Sequence, residues 1–237
     1  MLVPMLSAIF TAQHFAPDHI VHLALATGMA SVIFTSSSSV RSHNIKGAVD
    51  WSIVKRMVLP MTLGTLSSAF ASGWIEQKPL AIGFVVIVYG GAYQIYSGKK
   101  PAAGKTMPST PWLWLFGLPI GFICGLVSAG GTFLTVPLML YFGVPMRTAV
   151  GTGAALGVPV AVFGTIGFIL SGWKIPGLPD PHLGFVFMPA LCALVVVSVL
   201  TAPMGANLAH RLPTQTLKKV FALSLFLVAT RMLVKYW

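Results

Sequence analysis

Residues 125–137 read Gly-Leu-Val-Ser-Ala-Gly-Gly-Thr-Phe-Leu-Thr-Val-Pro and interrupt an apolar run that covers 111–142. In hydrocarbon, the backbone groups that Gly130, Gly131 and Pro137 release from a helix find no water, so protein or a water-filled cavity must satisfy them. Membrane transporters use such breaks to present helix ends to a solute. If the chain lies in a membrane, the run therefore predicts a broken helix at a solute site.

The composition is that of an integral membrane protein. Of the 237 residues, 56% are hydrophobic and only 8% are charged, whereas about 25% of the residues in a soluble domain are charged. A net charge of +11 in a soluble protein would indicate nucleic acid. Here the excess of Lys and Arg in the cytoplasmic loops of membrane proteins explains it. We therefore expect a multi-pass membrane protein, surrounded by lipid, with no nucleic-acid partner.

Apolar segments recur along the whole chain. One crossing needs about 20 apolar residues, which excludes the segment 1–11. The candidates are 22–40, 54–74, 80–97, 111–142, 148–171, 183–203 and 217–234. The six tryptophans fall at segment ends, as an interfacial aromatic belt would place them. The sequence therefore predicts an all-α membrane protein, a polytopic helical bundle.

Two short stretches of the first half recur in the second half in the same order. They are Val3-Pro4-Met5-Leu6 with Val136-Pro137-Leu138-Met139, and residues 24–30 with residues 149–155. Transporters are often built from two such repeats. We expect one integral membrane domain of two pseudo-symmetric repeats, residues 1–100 and 101–237, with helices broken at Gly-rich motifs.

The distribution of charge favours repeats of opposite orientation. If the segment 111–142 enters the membrane and returns as a hairpin, nearly all of the net charge of +11 falls on one side. If every segment crosses, the charge divides more evenly between the sides. Because Lys and Arg collect in cytoplasmic loops, the hairpin is the better arrangement. Each half is then a hairpin plus three crossings, and an odd number of crossings inverts the second half.

Several motifs of both halves occur together in one known family. They are the Gly-rich run ending in Val136-Pro137, the segment 143–155 (Gly-Val-Pro-Met-Arg-Thr-Ala-Val-Gly-Thr-Gly-Ala-Ala), and the earlier pair 22–30 and 42–51. With these motifs nearly the whole chain resembles the sulfite exporter TauE/SafE family. The resemblance implies a polytopic inner-membrane transporter, not an enzyme, for small sulfur-containing anions such as sulfite, sulfoacetate and related organosulfonates.

The chain departs from the pattern of that family in two places. The family's run reads Gly-x-Gly-Gly-Gly, whereas here Ser128 and Thr132 replace the outer glycines, which keeps these residues small and adds hydroxyls. The family also carries a glycine run in both halves. In the repeat alignment, the first counterpart of Gly131 would precede Met1, so we expect the first repeat to lack about 20 residues, one membrane segment.

The glycine break is the candidate substrate-binding site. A helix that restarts near Gly131 or Thr132 turns free N–H groups and the positive end of its dipole toward the gap, which favours an anionic solute. The hydroxyls of Ser128 and Thr132 are further donors. The alternative for Gly130 and Gly131 is that they only allow helices to pack closely.

Equivalent threonines of the two repeats are further substrate-binding candidates. By symmetry, Thr27-Gly28 and Thr152-Gly153 would lie near one another, facing the break, with hydroxyls that hold a sulfonate oxygen. The alternative is a hydrogen bond to a carbonyl of their own helix. Arg147, at the mouth of the second repeat's segment, either attracts anions or anchors the helix at the interface.

The remaining polar residues constrain the mechanism. The run Ser36–Ser39 either lines an aqueous vestibule or is interfacial. No carboxylate lies within any apolar core, although proton-driven transporters commonly place one there. The membrane potential, worth about 2.3 kcal/mol per charge per 100 mV, remains as a driving force, and an inside-negative potential drives anions outward.

We therefore expect export, with no metal or other cofactor. The cysteines, Cys124 and Cys192, lie in apolar segments without zinc-ligand spacing, and both are expected to be core residues. Two alternatives stay open: an anion channel or facilitator of other specificity, and a membrane scaffold in which the break is packed and dry. The chain is also compatible with a homodimer.

Overall fold

The structure, a computed structural model, describes residues 2–72, 107–128 and 130–211, together with isolated positions between 82 and 93 and between 213 and 230. The described residues form seven α-helices and one small β-hairpin. The helices are α1 (Leu2–Ala12), α2 (Ile20–Ile45), α3 (Trp51–Ser72), α4 (Thr110–Val127), α5 (Thr132–Tyr141), α6 (Met146–Gly172) and α7 (Met188–Arg211). A 3-10 turn, Pro17–His19, precedes α2, and β1 (His182–Leu183) pairs antiparallel with β2 (Val186–Phe187).

Three described helices are long and apolar enough to cross a membrane: α2 with the turn before it, α4 and α6. The prediction of an all-α membrane protein is thus confirmed. With 11 and 10 residues, α1 and α5 reach about 15 Å each, half of a hydrocarbon core of about 30 Å. The predicted segments 80–97 and 217–234 lie outside the described residues, apart from isolated positions.

Contacts at glycines show that α3, α4 and α6 run in the same direction. The contacting pairs are Pro60 with Gly117 and Ser68 with Gly125 for α3 and α4, and Thr65 with Gly164 and Ala69 with Gly167 for α3 and α6. In every pair, later residues of one helix meet later residues of the other. The N-terminal ends of these three helices therefore lie at the same end of the bundle.

The helices α2 and α5 run the opposite way. The pairs that show this are Met29 with Gly164 and Ser36 with Gly157 for α2 and α6, and Gly131 with Gly157 and Thr135 with Gly153 for α5 and α6. The chain therefore reverses direction between α4 and α5, which is the hairpin favoured for 111–142. At the N-terminus, Val3 lies near Gly28, so α1 folds back antiparallel along α2.

Positive charge collects at one end of the bundle, where α2 ends and α3, α4 and α6 begin. The charged residues of these helix ends and of the loop after α2 are Arg41, Lys46, Asp50, Lys55, Arg56 and Arg147. The opposite end, among the residues described, carries Asp18, Lys174 and Asp180. The described tryptophans also lie at helix ends and are exposed, as the belt requires: Trp51, Trp112, Trp114 and Trp173.

The close approach of α3 and α4 depends on glycine. Gly117, Gly121 and Gly125 recur every four residues on one face of α4, which is the small-residue pattern of tightly packed membrane helices. A Cβ on Gly121 would collide with the backbone of Met61. The hydroxyl of Thr65 lies 2.8 Å from the carbonyl oxygen of Met61 and 2.9 Å from that of Gly121, which ties the two helices together.

Two local predictions were wrong. The segment 183–203 does not begin as a helix, because Gly184 at φ +55° turns a β-hairpin and α7 begins only at Met188. Pro137 does not break its helix either, since it lies inside α5. Neighbouring groups can satisfy the backbone that a buried proline frees, so the interruption is confined to 128–131.

Candidate substrate site

The hairpin between α4 and α5 turns at Ser128. Its backbone adopts the left-handed conformation (φ +50°, ψ +34°), and its N–H bonds the last turn of α4 at the carbonyls of Cys124 and Gly125. The Ser128 hydroxyl donates to the carbonyl oxygen of Leu25 in α2, at 2.7 Å. A Cβ on Gly28 would lie 3.3 Å from this hydroxyl oxygen, so the small residue in α2 leaves room for the contact.

The two glycines of the break face different helices. A Cβ on Gly130 would lie 2.8 Å from Cγ1 of Val32 in α2. A Cβ on Gly131 would lie 3.1 Å from the carbonyl carbon of Leu156 and 3.1 Å from the backbone nitrogen of Gly157 in α6. The break therefore lies between the middle turns of α2 and α6.

The start of α5 packs directly on α6. A Cβ on Gly153 would lie 3.1 Å from Cα of Thr132. The hydroxyl of Thr135 bonds the carbonyl of Gly131. Among the described residues, no group accepts a hydrogen bond from the N–H of Gly130 or Gly131. Free amides at the positive end of a helix dipole are suited to an anion.

Thr27 and Thr152 are fully buried and each holds the start of another helix. The Thr152 hydroxyl oxygen accepts a hydrogen bond at 2.9 Å from the N–H of Asp50, which precedes α3. The Thr27 hydroxyl oxygen accepts one at 3.0 Å from the N–H of Phe187, which precedes α7. Each bond joins one half of the chain to the other, and neither is the own-helix bond considered from the sequence.

The two threonines do not lie next to each other. Met29 of α2 packs against Gly164 of the antiparallel α6, so Thr27 is level with the residues around Gly164. Thr152 is then about 18 Å away along α6, at 1.5 Å per residue. The break lies between these two levels, so Thr27 and Thr152 flank it on opposite sides along the bundle. The expectation that they lie near one another is wrong, because the antiparallel helices carry them apart.

Arg147 lies at the edge of the bundle. It is exposed in the first turn of α6, at the positively charged end. Along the helix it precedes Gly157 by about 15 Å, so the structure does not bring it to the break. Its position suits an electrostatic role at the entrance or an interfacial anchor.

Sequence reasoning did not assign Ser36 to the break. Ser36 is only 8% exposed, and its hydroxyl oxygen would lie 2.8 Å from a Cβ on Gly157 and 3.7 Å from a Cβ on Gly130. A signal was present, because Gly28, Val32 and Ser36 recur every four residues and so share one face of α2.

The two cysteines differ in their surroundings. Cys124 is buried, with the backbone of Leu134 at the start of α5 beside it. Cys192 is exposed on α7, so the expectation of a core position is wrong for this residue. In the described part of the chain, no group of three or more His, Cys, Asp or Glu side chains is arranged to hold a metal ion.

Comparison with known proteins covers nearly the whole chain. A model of the family "Sulfite exporter TauE/SafE" matches residues 1–232. A probable membrane transporter protein of Haemophilus influenzae is 28% identical over 237 residues, 99% of this chain and 89% of that protein. The probable membrane transporter protein YtnM of Bacillus subtilis is 29% identical over 225 residues, 88% of this chain and 69% of that protein. No solved structure matches the chain significantly.

A further match is shorter. A UPF0756 membrane protein of Erwinia tasmaniensis is 28% identical over 133 residues, 56% of this chain and 86% of that protein. The family model and the two longer matches agree with the apolar helices and with the hairpin broken by glycines. The chain is therefore a membrane transporter and belongs to the sulfite exporter TauE/SafE family.

Proposed function

We propose that this transporter exports small sulfur-containing anions, such as sulfite, sulfoacetate or related organosulfonates, across the inner cell membrane. The main support is the hairpin of α4 and α5, whose free amides at Gly130 and Gly131 lie between the middle turns of α2 and α6. The substrate-binding residues are then those of the break, Ser128, Gly130, Gly131 and Thr132. The family name, sulfite exporter, supports the class of solute.

Electrostatics supports an anionic solute. None of the seven described helices contains Asp or Glu, so no carboxylate of these helices repels an anion or needs a proton before the anion can bind. The N-terminus of α5 contributes a partial positive charge of about one half. In a site with little water, such a fixed charge acts more strongly than it would in solution. The Ser128 hydroxyl is committed to Leu25, so the backbone amides are the principal donors.

We also propose that the two halves are inverted repeats that move against one another. Two observations on helix direction support this. The helix α2 runs antiparallel to its counterpart α6, and α1 packs antiparallel on α2 as α5 packs antiparallel on α6. The corresponding bonds of Thr27 and Thr152 are then contacts between repeats. Alternating access by rocking of one repeat against the other is the usual motion of such folds. With Gly28 and Gly153, the two threonines border the solute path on either side of the break.

Flux measurements on the purified protein in proteoliposomes test the function. With the potential clamped by potassium and valinomycin, we expect saturable efflux of radiolabelled sulfite that is faster when the outside is positive. Sulfoacetate should compete, and chloride should not. Flux that grows linearly with concentration and passes chloride equally would indicate a channel. If the folded protein transports none of these anions, the proposal is contradicted. The alternative of a membrane scaffold with a packed, dry break would then remain.

A further inference from the structure

We propose that Ser36 is a substrate ligand, which donates its hydroxyl hydrogen to an oxygen of the anion bound at the break. This assignment rests on the function proposed above, because it names a further residue of the same site. Ser36 belongs to α2 in the first half of the chain, outside the Gly-rich run. It would make the site a joint product of both halves.

The surroundings of Ser36 distinguish it from its neighbours. Thr35 and Ser37 donate to carbonyl oxygens of their own helix, those of Ser31 at 3.0 Å and Ile33 at 2.7 Å. Ser36 as a residue is more than nine-tenths buried, and its hydroxyl has no hydrogen-bond partner among the described residues. Buried polar groups in native proteins are nearly always hydrogen-bonded, and exceptions call for an explanation. A bound solute supplies one here.

The same small space holds a second free donor. A Cβ on Gly157 would lie 2.8 Å from the Ser36 hydroxyl oxygen and 3.5 Å from the backbone nitrogen of Gly131. The Ser36 hydroxyl and the Gly131 amide nitrogen therefore both lie beside Gly157, where any side chain would meet the hydroxyl. A sulfite or sulfonate group carries three acceptor oxygens and can satisfy both donors at once. A cation would require acceptors in place of the amide hydrogen.

Saturation kinetics of sulfite efflux test this assignment. In proteoliposomes, Ser36→Ala should raise the half-saturating sulfite concentration about tenfold or more, as expected for the loss of one hydrogen bond to a charged group. Ser37→Ala is the matched control, because Ser37 is exposed and bonds only its own helix. Neither variant should change the thermal unfolding temperature in detergent without sulfite by more than a degree or two.

A second variant and the wild-type protein distinguish failure of the Ser36 assignment from failure of the proposed function. Ser36→Cys keeps a similar shape but is a weak donor, so its half-saturating concentration should lie between those of wild type and Ser36→Ala. Saturable wild-type flux with the same half-saturating concentration in Ser36→Ala would overturn the role of Ser36 and leave the proposed function intact. A fall in maximal rate alone would overturn it equally. Absence of saturable flux in the wild type would instead defeat the proposed function itself.

Discussion

Ser128 carries two opposing effects on stability. Its left-handed backbone costs a residue other than glycine about 1–2 kcal/mol. Its hydroxyl, bonded to the carbonyl of Leu25, contributes about 0.5–1.5 kcal/mol. The replacement of a glycine of the family pattern by serine is therefore nearly neutral in energy, and it fastens the turn of the hairpin to α2.

Replacing Ser128 separates the two effects. Ser128→Gly should change the free energy of unfolding by less than about 1 kcal/mol, because strain and hydrogen bond disappear together. Ser128→Ala should be less stable than wild type by about 1 kcal/mol, because it keeps the strain and loses the bond. Reversible denaturation in mixed micelles measures both values. Equal stability of the Ala and Gly variants would contradict this reading of the turn.

The buried threonines give a second prediction for single residues. Thr152→Val removes the acceptor of the Asp50 N–H and should destabilise the protein by about 1–2 kcal/mol, whereas Thr152→Ser should restore most of the loss. Thr201→Val is the control, because Thr201 is exposed and bonds only its own helix at Val197. Unfolding in micelles should rank Thr152→Val clearly below the control. Identical midpoints would show that the bond between the halves contributes nothing.

Among whole elements, the pair α3 and α4 depends most on small residues. Leucine at Gly121 would have to displace the backbone of Met61, and overpacking of this kind costs about 1–3 kcal/mol or more. Gly121→Leu should therefore lower the yield of monodisperse folded protein severalfold in size-exclusion chromatography. Leu118→Phe enlarges an exposed residue of the same helix and should leave the yield unchanged. Comparable yields of the two variants would refute the packing role of Gly121.

The elements also show how far the sequence could lead. The helices and the break at Gly130 and Gly131 follow from the hydropathy and glycine content of single segments, and the hairpin follows from how charge divides among the loops. The partner of Thr152 and the neighbours of Ser36 depend on which helices pack together and in which direction. The alignment of the two repeats predicted that Thr27 lies near Thr152. The structure separates them, because α2 and α6 pack antiparallel. The roles of these residues in binding stay predictions.

For the molecule as a whole, the positively charged end of the bundle predicts the orientation in the membrane. Because Lys and Arg favour the cytoplasmic side, the end that carries Arg41 and Arg147 should face the cytoplasm. In a Cys192→Ser background, a membrane-impermeant maleimide should label Lys174→Cys in intact cells. It should label Ile45→Cys, at an exposed position, only after the cells are permeabilised. The reverse pattern would place the positive end outside and would contradict the orientation.

The passage of solute at the glycine break is tested most sharply at Gly130. A Cβ there closely meets only the side chain of Val32, so Val32→Ala makes room for a larger residue without moving the backbone. At Gly131, by contrast, the neighbours are backbone atoms of α6. Proteoliposomes with the double variant Gly130→Leu/Val32→Ala should be compared with proteoliposomes of Val32→Ala alone, after equal insertion and unfolding temperature are established.

The deciding measurement is the potential-driven efflux of radiolabelled sulfite from these two preparations. Val32→Ala should retain saturable efflux, because it leaves the amides of Gly130 and Gly131 unchanged. The double variant should fall to the rate of protein-free vesicles, because the leucine side chain at Gly130 extends toward α2 and obstructs access to the free amides of the break. Undiminished sulfite efflux by a folded double variant would contradict the proposal that the anion crosses the membrane at Gly130–Thr132.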